Sequence, residues 1–246
     1  MNFISEKSNI GQNVKIGYFT IIEDDVTIGD NCIIGNNVTI YKGSNIGCSI
    51  RIDDNTVIGK QPMKAVTSAT SSDRLQPPCQ LGSNIIVGTS VVIYAGCKIA
   101  PKCLIADLST VREDVEIGEK TIIGRGVAIE NHCNIGSHCK LETNVYITAY
   151  SCIEDYVFIA PGVVTSNDSY AGRDKERFKH FKGVTVKKGG RIGAQATILP
   201  GKIIEADSLI GAGSVVTRDT EPEKISIGNP AKIYKEVPSN QLLRNQ

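Results

Sequence analysis

A branched aliphatic residue recurs every six positions through most of this chain. Ile4, Ile10, Ile16, Ile22, Ile28, Ile34, Ile40, Ile46, Ile52 and Ile58 keep the spacing at the start. Leu81, Val87, Ile93, Ile99, Ile105, Val111, Ile117, Ile123, Ile129, Ile135, Leu141, Ile147, Ile153 and Ile159 keep it through the middle. An amphipathic helix repeats its apolar residues at 3.6 and a half-buried strand at 2. A period of six fits neither as a long element. It fits short extended segments joined by tight corners, each pointing one aliphatic residue inward, which is a β-helix repeat. Glycine follows many of these aliphatics, as at Gly82, Gly88, Gly118 and Gly136. These glycines are expected to be corners that need a positive φ. Three segments make one triangular turn, so residues 18 apart stack at the strand spacing of about 4.8 Å.

The period breaks twice. Residues 60–80 hold three prolines and a Ser/Thr-rich centre, and the repeat resumes at Leu81. Thr165 then takes an aliphatic position, and 166–184 is polar and basic before Val186, Ile192, Ile198, Ile204, Ile210 and Val216 restore the spacing. Loops this long in a regular scaffold are usually functional. The remainder, about 217–246, reads as a cap, since terminal repeats must cover exposed core, with a short helix expected at 239–246. The expectation is one all-β domain over 1–246: a parallel β-helix of about ten turns, roughly 48 Å long, with two excursions.

A net charge of +1 gives no global field favouring nucleic acid or membrane. Polar corners interrupt every apolar run, so no bilayer span is expected. Of eight cysteines none forms a CxxC pair. Cys32, Cys97, Cys103, Cys133 and Cys139 fall two positions before an aliphatic residue and should face inward as free thiols, which suits a reducing cytoplasm. No metal is expected, because cysteine zinc sites normally show close ligand pairs.

The 18-residue register gathers polar residues on one edge. Glu113, Asn131, Ala149 and Asn167 form one column, and Asp114, His132, Tyr150 and Asp168 a second. Ile58 and Thr165 lie five whole turns apart, so both excursions leave from this edge, one above the columns and one below, about 24 Å apart. A polar edge framed by two irregular loops is the best pocket candidate. Glu113, Asn131, His132, Asn167 and Asp168 are the candidates for catalysis. Asp107, Asp114, Glu130, Asn144 and Tyr150 are the candidates for substrate contact.

The I-G-x-x-x-x hexads, the polar loop after Ile159 and the terminal Gly228-Asn229-Pro230-Ala231-Lys232 resemble the left-handed β-helix hexapeptide-repeat acyltransferases. The segment 140–170 is most similar to the nucleotide-linked amino-sugar N-acetyltransferases, closest to those acting on dTDP-3-amino-3,6-dideoxyhexoses. The resemblance implies a left-handed coil, a cytoplasmic homotrimer, acetyl-CoA as co-substrate and a nucleotide-sugar acceptor, with no nucleic-acid or membrane partner. It places the pantetheine arm against Gly211-Ala212-Gly213 and the adenosine end near Asn229, Pro230 and Lys232. Ala149, Lys187, Lys188, Arg191 and Arg218 complete the CoA candidates, Lys and Arg suiting its phosphates. A related pattern sets its key asparagine in K-x-x-N-N, which Lys140-Leu141-Glu142-Thr143-Asn144 matches at Asn144 alone.

The implied chemistry is attack of a neutral sugar amine on a thioester. His132 is one candidate base, since imidazole titrates near neutrality. Transfer of the proton to the departing thiolate is the other route. An oxyanion would need a donor such as a backbone N–H near Ala149. Three alternatives stand beside this reading: an O-acyltransferase on a sugar hydroxyl, a γ-carbonic-anhydrase-like metalloenzyme and a non-catalytic solenoid.

Overall fold

The computed structural model describes residues 1–71 and 74–246; Ser72 and Asp73, in the first excursion, lie outside the described residues. The chain coils into a left-handed parallel β-helix whose three flat sides are sheets of eleven, ten and twelve strands among the described residues. Most strands are two residues long, one side chain outward and one inward, and each pairs in parallel with the strand one turn away. Ile129, for example, sits beside Val111 below and Ile147 above. The inward aliphatics fuse into one continuous core from Ile22 to Val216. The six-residue period is therefore the path of the chain around the prism.

The first sheet runs from Phe3–Ile4 to Val215–Val216, the second from Asn9–Ile10 to Ile203–Ile204, and the third from Lys15–Ile16 to Lys232–Glu236. Below, the edge between the first and second sheets is the first edge, that between the second and third the second edge, and that between the third and first the third edge. Cys32, Cys97, Cys103, Cys133 and Cys139 all face inward and are buried. Burial pushes the Cys133 thiol up to about 12 and the Cys139 thiol up to about 11, so both stay protonated. Thr165 is tolerated at an aliphatic position because its hydroxyl is satisfied. It accepts from the Thr148 amide at 2.8 Å and donates to the Tyr146 carbonyl at 3.1 Å.

Two local expectations are corrected. Most glycines that follow the inward aliphatic are not left-handed. The positive-φ position comes two residues later and holds Asn13, Asp114, His132, Asn144 and Tyr150, among others. Those glycines are required instead by close stacking: a Cβ on Gly118 would lie 2.5 Å from the Ser137 nitrogen one turn up. The end of the chain is also more than a lid. Ala231 packs against the core, and Lys224–Ile227 pairs antiparallel with Lys232–Glu236. The segment expected as a helix forms two 3-10 turns, Ser239–Gln241 and Leu243–Asn245. It straps back along the second edge, where the Leu243 amide donates to Asp207 at 3.0 Å.

Candidate functional site

The two polar columns stand on the first edge. Asp114, His132 and Tyr150 have φ of 55°, 57° and 66° and point outward. Glu113, Asn131 and Ala149, one residue earlier, are 2%, 0% and 3% exposed. Three features of this edge shape the candidate site.

Glu113 is locked by its sequence neighbour. Arg112 donates Nε and Nη2 to the two Glu113 oxygens at 2.8 and 2.9 Å. Its Nη1 reaches Glu130 Oε2 one turn up at 3.3 Å. The guanidinium also lies 5.1 Å from the Tyr94 ring centroid, a cation–π distance. One cation thus serves two carboxylates.

The first excursion does not stay at its exit. It runs along the edge, fastened at successive turns. Gln76 donates to Asp114 at 3.1 Å, Ser71 accepts from Arg112 at 3.1 Å, and the Thr70 carbonyl accepts from Asn131 Nδ2 at 2.7 Å. Asn131 Oδ1 is buried with no partner among the described residues.

The second excursion folds back on itself around Asp168. The carboxylate accepts the Tyr170 and Gly172 amides, each at 2.9 Å, and lies 3.3 Å from Arg177 Nε. Arg177 opens a short helix, Arg177–His180, and its guanidinium sits 5.2 and 5.4 Å from the Phe178 and Phe181 ring centroids. Burial works to raise the Asp168 pKa, but the Gly172 and Tyr170 amides and the Arg177 cation outweigh it and hold the carboxyl below the ordinary range. A lowered folded pKa means the stabilisation is complete above the unfolded value, about 3.9, and is lost as pH falls through the folded value. Protection of the Tyr170 and Gly172 amides from hydrogen exchange, corrected for intrinsic rate, should hold from pH 7 to 5 and collapse below about 4. Asp168→Ala should remove it at every pH.

The excursions were expected about 24 Å apart by strand spacing. They meet. Ala69 and Thr70 of the first and Arg177 and Phe181 of the second wall one cavity of about 170 Å³, whose remaining walls are Glu130, Tyr146, Thr148, Ala149, Asn167 and Asp168. Loop paths have no sixfold register, so this convergence is invisible in the spacing. A larger groove of about 920 Å³ runs along the outer face of the second sheet. It is an open face whose charged walls, Lys98 and Glu116, pair with each other at 2.8 Å, and only Gln80, where the first excursion rejoins the coil, touches it among the described excursion residues.

Of the sequence candidates, the cavity collects Glu130, Ala149, Asn167 and Asp168. Asn131 is tied to the first excursion but is not a wall. His132 is 39% exposed at its side chain and lies outside the cavity, with Nδ1 3.3 Å from Asp114 Oδ2 and its ring stacked on Tyr150. The same stacking recurs on the second edge between His138 and Tyr156. Arg218 is on the first edge near the far end. Lys187 and Lys188 are on the second edge, where Lys187 pairs with Glu154 at 3.0 Å and Lys188 lies over Tyr156. Arg191 projects from the third sheet and donates to Gln241. Asp107, Asn144, Ala212, Asn229 and Pro230 are on the third edge, with Lys232 opening the last strand; Asp107 caps the Thr89 amide of the turn below. Arg112, Tyr146, Thr148, Arg177 and Phe181 were missed. Arg112 occupies an outward position where a cation reads as surface, and the excursion residues have no period to place them.

Comparison with known proteins gives the chain its relatives. A family model described as bacterial transferase hexapeptide (six repeats) matches residues 7–42, and one described as hexapeptide repeat of succinyl-transferase matches 111–149 and 184–218. The dTDP-3-amino-3,6-dideoxy-alpha-D-galactopyranose 3-N-acetyltransferase of Aneurinibacillus thermoaerophilus is 49% identical over 53 residues, 22% of this chain and 28% of that protein. The galactoside O-acetyltransferase of Escherichia coli K12 is 34% identical over 88 residues, 35% of this chain and 43% of that protein. The matches thus span less than half of these relatives. Among solved structures, the Arabidopsis UDP-N-acetylglucosamine acyltransferase superposes with a TM-score of 0.68 at 17% identity, over 99% of this chain and 75% of that one. The Bacteroides fragilis UDP-N-acetylglucosamine acyltransferase gives 0.58 at 19% identity, over 96% and 73%. At these identities the superpositions speak for the fold. No helix among the described residues is long and apolar enough to cross a membrane.

Proposed function

We infer that this chain, which carries the repeats of the bacterial hexapeptide transferases on their left-handed β-helix, belongs to the hexapeptide-repeat acetyltransferases. On that premise it transfers an acetyl group from acetyl-CoA to the amine of a nucleotide-linked amino-deoxy sugar, with dTDP the expected nucleotide. The observation that carries this reading is the cavity between the excursions. At about 170 Å³ it is smaller than a drug-sized site and suits one sugar ring. Glu130, Thr148, Asn167 and Asp168 offer hydrogen bonds, and Tyr146 and Phe181 offer ring faces. Glu130 and Asp168 are acceptors when ionised, matching the N–H donors of an amine. Arg173, Lys175 and Lys182 of the second excursion are cations suited to a nucleotide diphosphate outside, while Lys179 pairs with Glu176 at 3.0 Å. The local identity to the Aneurinibacillus enzyme supports an amine acceptor.

The CoA candidates on the third edge cannot share a cavity with the first edge of the same chain, because the first sheet stands between them. A second copy would bring its third edge to this cavity. The first sheet is suited to that contact: Val57, Val92, Ala128, Val164 and Val215 are among its outward residues, and the one charge on its eleven described strands is Lys60, at the end of Val57–Lys60, whose ammonium lies 5.5 Å from the Tyr94 ring centroid. The other two sheets each carry outward charges, such as Lys98 and Arg191. A homotrimer follows as the proposed assembly. The second reading, transfer to a hydroxyl, draws on the match to the galactoside O-acetyltransferase.

Thiol release from acetyl-CoA, measured against dTDP- and UDP-linked 2-, 3- and 4-amino sugars and their hydroxy counterparts, with product masses, tests these readings. One amino sugar gaining one acetyl group is the expected result; gain on a hydroxy sugar alone selects the second reading. Sedimentation should give three times the 26.4 kDa chain.

A further inference from the structure

The acyl-transfer reading leaves open where the acceptor's proton goes. The geometry points to Glu130 as the catalytic residue that takes it, with Arg112 and Glu113 as the pair that sets its basicity. Glu130 is the only carboxylate on the cavity wall, among the described residues, that is not bound up in the fold of a loop. Asp168, the other wall carboxylate, is spent on two backbone amides and Arg177. Among the described residues Glu130 pairs with Arg112 Nη1, at 3.3 Å on Oε2. That guanidinium is already engaged at 2.8 and 2.9 Å by Glu113. The longer contact leaves Glu130 anchored by a cation without being neutralised by it, and its other oxygen can face the acceptor.

The surroundings work in the same direction. Burial raises the Glu130 pKa, Arg112 lowers it and Glu113 raises it, with a net rise above the ordinary carboxylate value. A carboxylate closer to neutrality is the better base at physiological pH. The titratable groups around it are Arg112 and Glu113 from the turn below, Tyr146 from the turn above, Asp168 and Arg177 from the second excursion, and the neutral Cys133 thiol behind it. The first excursion contributes the uncharged Ala69, Thr70 and Ser71 among the described residues. His132 is the competing base. It lies outside the cavity walls, and its stack on Tyr150 is repeated by His138 and Tyr156 on another edge.

The neutral acceptor attacks the thioester carbonyl carbon, and its C–N bond forms as its proton passes to Glu130. The C–S bond then breaks, the sulfur leaves with the electron pair, and the Glu130 proton passes to that sulfur or to water. A hydroxyl acceptor follows the same course with a C–O bond.

The inference rests on the acetyl-transfer reading, so its test uses whichever acceptor, amine or hydroxyl, the wild-type protein acetylates. Acceptor identity then tests the earlier reading, and the variants test this one. Glu130→Gln should lower kcat by about 10²–10⁴-fold, the usual worth of general-base catalysis, with KM for acetyl-CoA unchanged and the acid limb of the kcat–pH profile that belongs to Glu130 gone. Glu130→Asp should recover part of the rate. Glu113→Gln, which frees Arg112 to draw Glu130 down, should move that limb to lower pH. His132→Gln should keep the limb where it is. The inference is overturned if Glu130→Gln stays within about threefold of wild type. It is equally overturned if the rate falls in step with thermal stability and the limb is unmoved, or if the limb disappears with His132 instead. No transfer to either acceptor class overturns both readings.

Discussion

Arg112→Ala should cost about 3 kcal/mol of stability, the scale set by stranding one partner of a buried ion pair. The reason is the charge it leaves behind. Glu113 is 2% exposed and keeps both oxygens on the guanidinium. Without Arg112 the carboxylate has no cation at hydrogen-bond distance and little water. Ser71 and Glu130 lose a partner as well, and Tyr94 loses the cation on its ring. Arg112→Ala combined with Glu113→Gln should recover most of the loss, because the stranded charge is gone. Urea unfolding of both variants and the wild type, at one protein concentration because assembly shifts apparent stability, gives the comparison. A single variant within about 1 kcal/mol of wild type would mean that water reaches Glu113 freely.

The second large effect is at Gly183, where the second excursion rejoins the coil. Its φ is not left-handed, so conformational freedom is not the constraint. Space is: a Cβ there would lie 2.3 Å from the Tyr150 carbonyl carbon and 2.4 Å from the Ser151 nitrogen. Both are backbone atoms, which no rotamer change can move aside. Gly183→Ala must therefore push the returning strand off the turn below. That strains the Cys152 amide's bond to the Val184 carbonyl and the Val184 amide's bond to the Ser151 hydroxyl. Overpacking of this kind costs roughly 1–3 kcal/mol. Because Tyr150 is the chain neighbour of the wall residue Ala149, acetyl transfer should fall by about tenfold or more even in the fraction that folds, as misplaced site geometry does. Thermal unfolding and the acetyl-CoA assay read the two losses separately. Wild-type values for both would show that the turns can part far enough to clear the added methyl group at no cost.

The prism was legible because one physical requirement repeats along it: each short strand must bury one side chain. Ile129 and Ile147 declare their place by spacing alone, and so do the inward thiols of Cys97 and Cys133. The same register brought Glu113, Asn131 and Ala149 to one edge, and they are there. Register says nothing about depth, however. Glu113 stood among the catalytic candidates, but it is buried and both its oxygens are held by Arg112 beside it. Nor does register reach into the excursions. Thr70, Arg177 and Phe181 meet the coil through hydrogen bonds and packing that depend on loop paths, so the closing of the cavity, and with it the standing of Glu130 over His132, is set by the three-dimensional path of the loops and not by spacing. The glycines show a related limit. Spacing located them, but whether a glycine serves a turn or a close contact depends on the neighbouring coil.

The fastening of the first excursion along the edge makes it a ruler. It leaves after Lys60 and must still reach Arg112 and Asn131 further along the stack. An extra coil of 18 residues inserted before Ile58 would shift excursion and cavity together and leave their fit untouched. The same coil inserted between Leu81 and Val111 would move Asn131 away from Thr70 by about 4.8 Å and open the chamber. A six-residue insertion there would be worse, since it would rotate everything downstream onto the next side of the prism. Length variation in proteins built on this plan should therefore be phased: free in whole coils outside the span of the excursion, and excluded within it unless the excursion lengthens in step.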